Sequence, residues 1–154
     1  MWTITPSPID HSVLRDYIDD IASRYYGRPA TPAEIDRALT DEPADDLQPP
    51  TGAFLLATDG GKVAGCVGVK LLDTDTAELT KLYVYPAARG QRGGRQLLRA
   101  AEHVARGLGA EVMRLNTRSD LVEARSLYAR YGYTEIEPYT IGSYVDHSFE
   151  KRLL

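Results

Sequence analysis

The stretch from Ala77 to Ala110 constrains this chain most: an extended segment, a glycine–arginine loop and an amphipathic helix run on without a break. Ala77-Glu78-Leu79-Thr80-Lys81-Leu82-Tyr83-Val84-Tyr85 reads as a strand, which Pro86 stops. The loop is Arg89-Gly90-Gln91-Arg92-Gly93-Gly94-Arg95. Leu97, Leu98, Ala101, Val104, Ala105 and Leu108 then recur at helical spacing. Glycines permit tight backbone paths, free N–H groups at a helix start attract anions, and arginines add fixed positive charge. The unit suits a phosphorylated ligand, although the same turn chemistry also serves a plain connection. It has neither the Gly-Lys-Ser/Thr ending of an NTPase loop nor a three-glycine dinucleotide fingerprint.

Taken whole, Val84-Tyr85-Pro86-Ala87-Ala88-Arg89-Gly90-Gln91-Arg92-Gly93-Gly94-Arg95 followed by Leu97-Leu98 resembles the acetyl-CoA motif of the GNAT N-acetyltransferases. That loop usually reads Arg/Gln-x-x-Gly-x-Gly/Ala. Arg89 and Gly94 match its ends. Arg92 replaces the first expected glycine, which suits a residue with negative φ whose guanidinium reaches a phosphate. A second segment, Ala124-Arg125-Ser126-Leu127-Tyr128-Ala129-Arg130-Tyr131-Gly132-Tyr133, resembles the family's Ala-x-x-Leu-Tyr-x-x-x-Gly-Phe/Tyr pattern. Many relatives also carry an asparagine seven residues before the motif tyrosine, against the pantetheine. Leu121 stands there, and Asn116 lies too far upstream to align with it.

With 154 residues the chain fits a single domain, 1–154, and can bury a real core. Its net charge of −4 argues against a general nucleic-acid binder. No cysteine–histidine cluster has metal-ligand spacing, so no metal is expected. Cys66 is the only cysteine; it sits in Val63–Val69, where a small buried apolar residue is expected rather than a nucleophile. Neither a signal peptide nor a membrane-spanning run is visible, and a cytoplasmic protein is expected.

Along the chain, Trp2–Thr5 suits a first strand. Ser7-Pro8-Ile9-Asp10 signals a helix start with Ser7 as cap, and Val13, Leu14, Tyr17, Ile18, Ile21 and Tyr25 form its apolar stripe up to Gly27. Thr31-Pro32-Ala33-Glu34 has capping-box spacing before a second, short helix. Asp41–Pro50 reads as a loop. Ala53–Thr58 and Lys62–Leu72, joined by Asp59-Gly60-Gly61, read as a hairpin. Beyond the central helix, Glu111–Asn116 is a predicted strand. Asp120 with Glu123 can cap a helix that Gly132 ends, and Tyr133–Ile136 and Tyr144–Leu153 close the sheet. This order predicts an α/β (α+β) domain, with a mixed, mostly antiparallel sheet flanked by about four helices. The GNAT fold has the same order.

Acetyl transfer to an amine needs a neutral nitrogen. An alkylammonium with pKa ~10.4 is about one part in 10³ neutral at pH 7, a deficit of roughly 4–5 kcal/mol. A carboxylate can take that proton, directly or through water. Glu78, six residues before Val84, stands where histone-acetylating members of the family carry a glutamate general base; its plain alternative is a strand-edge carboxylate paired with Lys81 or an arginine. The resemblance places Tyr128 beside the cofactor sulfur as general acid or hydrogen-bond donor, against the alternative of a core tyrosine. It gives Leu82, Tyr83 and Val84 backbone contacts to the acetyl carbonyl and the pantetheine arm, and Gly90–Arg95 the pyrophosphate. Arg99 is expected in solvent. Tyr25, Tyr26, Tyr139 and Tyr144 can line an acceptor pocket or pack as surface aromatics, and His147 is a weaker base candidate.

The resemblance implies an acetyl-CoA-dependent N-acetyltransferase acting directly on the primary amine of a small molecule, without nucleic-acid or membrane partners and compatible with a homodimer. Two alternatives stay open: an acetyltransferase for protein lysines or N-termini, and an acyl-CoA-binding regulatory module without turnover. Residues 1–50 carry ten acidic side chains and four basic ones. In GNAT folds the helices of that region wall the acceptor side, so a cationic acceptor is expected, against the alternative of an ordinary solvated acidic surface.

Overall fold

The computed structural model describes residues 2–140, 142 and 144–153. Its elements are β1 (Trp2–Ser7), α1 (His11–Tyr26), α2 (Pro32–Asp41), β2 (Gly52–Asp59), β3 (Lys62–Leu71), β4 (Thr76–Val84), α3 (Gly93–Gly107), β5 (Val112–Thr117), α4 (Val122–Arg130), β6 (Thr134–Ile136) and β7 (His147–Arg152). A single 3-10 turn, Pro86–Ala88, follows β4. The strands form one seven-stranded sheet in the order β1-β2-β3-β4-β5-β7-β6. Every pairing is antiparallel except β4 with β5. Both the element order and the mixed sheet match the sequence prediction.

Side chains alternate across a strand, so neighbouring residues of β2 serve opposite faces. Phe54 joins Val13 and Leu14 of α1, with Cys66 and Tyr83, on one face. Leu55 joins Leu97, Leu98 and Ala101 of α3, with Val67 and Leu79, on the other. Both faces are covered, which is why β3 is apolar on both sides. Each such large side chain contributes about 1.5–3 kcal/mol on full burial. The α3 face also holds a buried polar link: Glu102 accepts from Tyr133 Oη at 2.8 Å and pairs with Lys151 Nζ at 3.1 Å, fastening α3 to the closing strands.

The helix ends follow local rules, with two corrections. Asp10, not Ser7, caps α1: its Oδ1 accepts from the amides of Ser12 and Val13, both at 3.1 Å, while Ser7 still belongs to β1. Asp120 does not cap α4; it pairs with Arg118 at 2.8 Å, and α4 starts without a side-chain cap. The capping box of Thr31 and Glu34 is formed as predicted, and Gly27 ends α1 at φ 69°. The 42–51 segment is a loop, yet its Leu47 is 2% exposed and packs into the α1-side core.

Candidate active site

The site begins where the parallel ladder ends. β4 pairs with β5 only over Thr76–Glu78 against Val112–Arg114, after which β5 continues on β7 alone. On its other side β4 carries a bulge. Gly68 faces Thr80 and Cys66 faces Tyr83, so Val67 opposes both Lys81 and Leu82. Lys81 takes φ 57°, a left-handed conformation that costs a non-glycine residue roughly 1–2 kcal/mol. A bulge bends its strand, and this one falls where β4 leaves β5. The gap is a cleft of about 1130 Å³, walled by α1, α2, β4 and α4.

Glu78 and Tyr128 both line it. Glu78 Oε2 accepts a 2.8 Å hydrogen bond from Tyr139 Oη, and its Oε1 lies 3.9 Å from Lys70 Nζ. Among the described residues its ion partner is thus Lys70 rather than Lys81 or an arginine, although Arg114 faces it in register on β5. Tyr128 is buried beside the rings of Tyr133 and Phe149, at 5.8 and 6.1 Å between centroids. Its hydroxyl has no hydrogen-bond partner among the described residues, and burial raises its pKa well above the ordinary phenol value. Glu78 is therefore held by the protein, while the phenol is left free for a ligand.

Leu82 in the bulge and Tyr83 and Val84 beyond it line the same cleft. The Tyr83 ring packs edge-on against Tyr17 of α1 at 5.7 Å. Of the loop residues, Arg89 and Gly94 reach the cleft wall. The Arg89 guanidinium is already used: Nε donates to the Val84 carbonyl at 3.0 Å and one terminal nitrogen pairs with Asp20 at 2.9 Å. It ties the end of β4 to α1 rather than standing free.

Gly90, Gln91, Arg92, Gly93 and Arg95 form the turn into α3. The first helical bond runs from Gln96 N to Arg92 O, at 3.2 Å. The amides of Gly93, Gly94 and Arg95 precede it and have no acceptor among the described residues. Arg92 corrects the sequence reading: its φ is +59°, not negative, and it stands exposed at the helix start. Gly93 is fixed by packing, because a Cβ there would collide with the Trp2 indole. Arg95 lies over the Tyr131 ring at 5.6 Å, with a buried Nε that no protein group meets among the described residues.

The remaining aromatic residues divide. Tyr25, Tyr26 and Tyr144 line the cleft, with Tyr25 edge-on to both others, whereas Tyr139 stands behind Glu78. His147 is outside it, between Glu135 Oε2 at 2.8 Å and Ser119 Oγ at 3.0 Å. Leu121 and Asn116 both line the cleft, and Asn116 Oδ1 accepts from Ser148 Oγ at 2.7 Å. Sequence reasoning did not mention Lys70, gave Lys81 only as a possible ion partner of Glu78, and gave Tyr17 only as part of the apolar stripe of α1. Strand parity gives no signal for Lys81, because the bulge leaves Leu79 on the α3 face and Tyr83 on the α1 face.

A groove at a parallel-strand gap, with free amides at the next helix start and an unbonded phenol, can accept an extended phosphorylated thioester. Comparisons with known proteins agree. The family model described as acetyltransferase (GNAT) family matches residues 15–133. The chain is 32% identical over 135 residues to an IAA acetyltransferase of Azospirillum brasilense, covering 86% of this chain and 84% of that one. It is 34% identical over 108 residues to the aminoalkylphosphonate N-acetyltransferase of Salmonella typhimurium, covering 66% of this chain and 70% of that one. Among solved structures, the PaiA N-acetyltransferase of Thermoplasma acidophilum in complex with coenzyme A superposes with a TM-score of 0.77 at 21% identity, covering 99% of each chain. The chain belongs to the acetyltransferase (GNAT) family, and with it to the acetyl-CoA-dependent N-acetyltransferases. No described helix is long and apolar enough to cross a membrane.

Proposed function

We propose that this enzyme moves the acetyl group of acetyl-CoA directly onto the primary amine of a small molecule. One observation carries the reading: a carboxylate held in place and a phenol left free open on the same cleft, at the strand edge where β4 parts from β5. The residues fit the cosubstrate. Gly93, Gly94 and Arg95 offer free amides to the pyrophosphate, with Gly90 and Gln91 shaping the turn and Arg92 adding charge beside them. Backbone groups of Leu82, Tyr83 and Val84, on a strand edge with no partner strand, serve the pantetheine arm and the acetyl carbonyl.

Acetyl-CoA supplies an activated acyl group; the protein's task is to neutralise the amine and assist the thiolate. Glu78 accepts the ammonium proton, directly or through a water. The nitrogen then attacks the thioester carbonyl, the C–S bond breaks, and the second proton released from the nitrogen leaves with the sulfur as the free thiol of coenzyme A. Tyr128 donates a hydrogen bond to the departing sulfur. Full proton transfer from it is uphill, because a thiol near ~8.5 is the stronger acid than a phenol near ~10 and burial raises Tyr128 further.

The acidic surface of residues 1–50 is largely committed. Asp16 accepts from Tyr85, Asp20 pairs with Arg89, Glu34 with Arg28, Asp36 with Arg15 and Asp46 with Lys70. Asp41 and Glu42 remain on the cleft wall without an ion partner among the described residues. Together with Glu78 they favour an acceptor that arrives as an ammonium. The aminoalkylphosphonate N-acetyltransferase relative supports a small amine of this kind.

The test is coenzyme A release from acetyl-CoA across a panel of small amines, at low and raised salt. Release with small ammonium acceptors, weakened by salt, is expected. Acetyl-CoA binding with no release for any amine would return the protein to a binding module.

A further inference from the structure

Most cations of the cleft wall are matched. Arg24 pairs with Glu123 at 3.0 Å, Lys70 with Asp46 at 3.5 Å, Arg89 with Asp20 at 2.9 Å and Arg118 with Asp120 at 2.8 Å. Two have no carboxylate within ion-pair distance among the described residues: Arg37, which is exposed on α2, and Lys81. Lys81 is 7% exposed. Its ammonium has three donors, of which the structure uses one, from Nζ to the Glu42 carbonyl at 3.2 Å. Burial lowers its pKa and the neighbouring Lys70 lowers it further, while the nearby Glu42 carboxylate and, more weakly, Cys66 and Glu78 pull it back. An ammonium desolvated this far calls for an anion.

The backbone is arranged to produce this. Lys81 is the left-handed residue of the bulge, so the distortion that opens the cleft also turns a cation into its wall. Capping the C-terminal end of α2 through Glu42 is the structural use of Lys81, and it satisfies one N–H group only. Glu78 lies three residues earlier, roughly 10 Å back along the strand. Both side chains line the cleft, so a base and a cation share it.

We propose that Lys81 seats an oxyanion, a carboxylate or phosphonate, that the acceptor carries besides its amine, making the substrate a small zwitterion. The inference rests on reading this cleft as the acceptor site. Glu78 meets the amine end and Lys81 the acid end. Lys70 is shared between Asp46 and Glu78 and contributes little free charge.

The test uses matched pairs with and without the acid: glycine against glycinamide, 3-aminopropanoate against 3-aminopropanamide, and 2-aminoethylphosphonate against propylamine. Each is titrated calorimetrically in the presence of coenzyme A, and each is assayed for coenzyme A release from acetyl-CoA. In the wild type the acid-bearing member of at least one pair is expected to bind at least tenfold more tightly. Which pair responds distinguishes carboxylate from phosphonate. Lys81→Met is expected to weaken the acid-bearing member at least tenfold more than its mate, and Lys81→Arg to keep most of the preference. If Lys81→Met does not fold, Lys81→Gln replaces it, since its amide can still reach the Glu42 carbonyl.

No preference for the acid in any pair overturns the proposal, as does an equal loss on both members in Lys81→Met. Calorimetry needs no turnover, so the two readings fail separately. Acid-selective binding without coenzyme A release would remove the transferase reading and leave the anion seat. Release with the neutral members alone would do the reverse.

Discussion

The phenol of Tyr139, between β6 and β7, donates a 2.8 Å hydrogen bond to Oε2 of Glu78 on β4. The same ring lies 5.6 Å from the guanidinium of Arg114, which is paired at 2.8 Å with Glu150. Tyr139 thus links the closing segment to the proposed base. A hydrogen bond to a charged group is worth about 1.5–3 kcal/mol, so Tyr139→Phe should lower kcat/KM by roughly 10- to 100-fold at most. Acetyl-CoA affinity should stay within twofold. Glu78→Gln should remove most turnover together with the acidic limb of the pH–rate profile. An unchanged profile in Glu78→Gln would assign proton removal to water or another group.

Tyr128 makes a different prediction because its hydroxyl has no hydrogen-bond partner among the described residues and its pKa is raised by burial. It stays a neutral phenol across working pH, so it adds no basic limb below pH ~10. Tyr128→Phe should cut kcat by about tenfold or more while acetyl-CoA affinity changes little. Near-normal turnover would make it a core residue only.

Arg92 carries both charge and left-handed backbone, and two substitutions separate them. Arg92→Glu should weaken acetyl-CoA binding at least tenfold, about 1.4 kcal/mol. Arg92→Gly should also weaken binding, yet leave Tm no lower, because glycine adopts positive φ without the steric cost. Calorimetry with thermal melts checks both. Full affinity in a folded Arg92→Glu variant would remove this side chain from the site.

Gly93→Ala tests the packing beneath the loop. A Cβ at Gly93 would collide with the Trp2 ring, which belongs to the first strand. Overpacking of this kind costs typically about 1–3 kcal/mol, and the Tm should fall. Gly93→Ala in a Trp2→Leu background should recover part of the loss. No recovery would place the defect in the loop backbone instead.

Local chemistry made much of the fold legible. The Thr31/Glu34 capping box, the Asp59-Gly60-Gly61 hairpin and the apolar stripe of α3 each rest on residues close in sequence. What was not legible depends on distant partners. Asp10 and Ser7 are both acceptable caps by type, and only the continuation of β1 through Ser7 decides between them. Asp120 has cap chemistry, but Arg118 takes it. Lys81 and Arg92 both adopt positive φ without being glycine or asparagine, so composition gave no sign of the bulge or of the α3 entry. The candidate site shows the same division. Glu78, Tyr128 and the loop were expected from the family resemblance, while Tyr139 and Lys70 reach Glu78 only through the assembled sheet and its closing segment.

Cys66 gives the last prediction, which bears on direct transfer. The thiol is fully buried and donates to the Lys81 carbonyl at 3.3 Å, and burial pushes its pKa up to about 12. From a reference near ~8.5, its thiolate fraction at pH 8 falls to about one in 10⁴, so it is no acyl acceptor. Native protein should resist iodoacetamide at pH 8, and Cys66→Ala should keep acetyl transfer. The sign of the linkage is also fixed. A folded pKa above the unfolded one gives stability that is present below pH ~8.5 and lost as pH rises toward 12. Urea midpoints should therefore decline between pH 8 and 10.5, and less steeply in Cys66→Ala. Mass spectrometry after incubation with acetyl-CoA alone provides the decisive check: an acetylated Cys66 peptide would replace direct transfer with a two-step route.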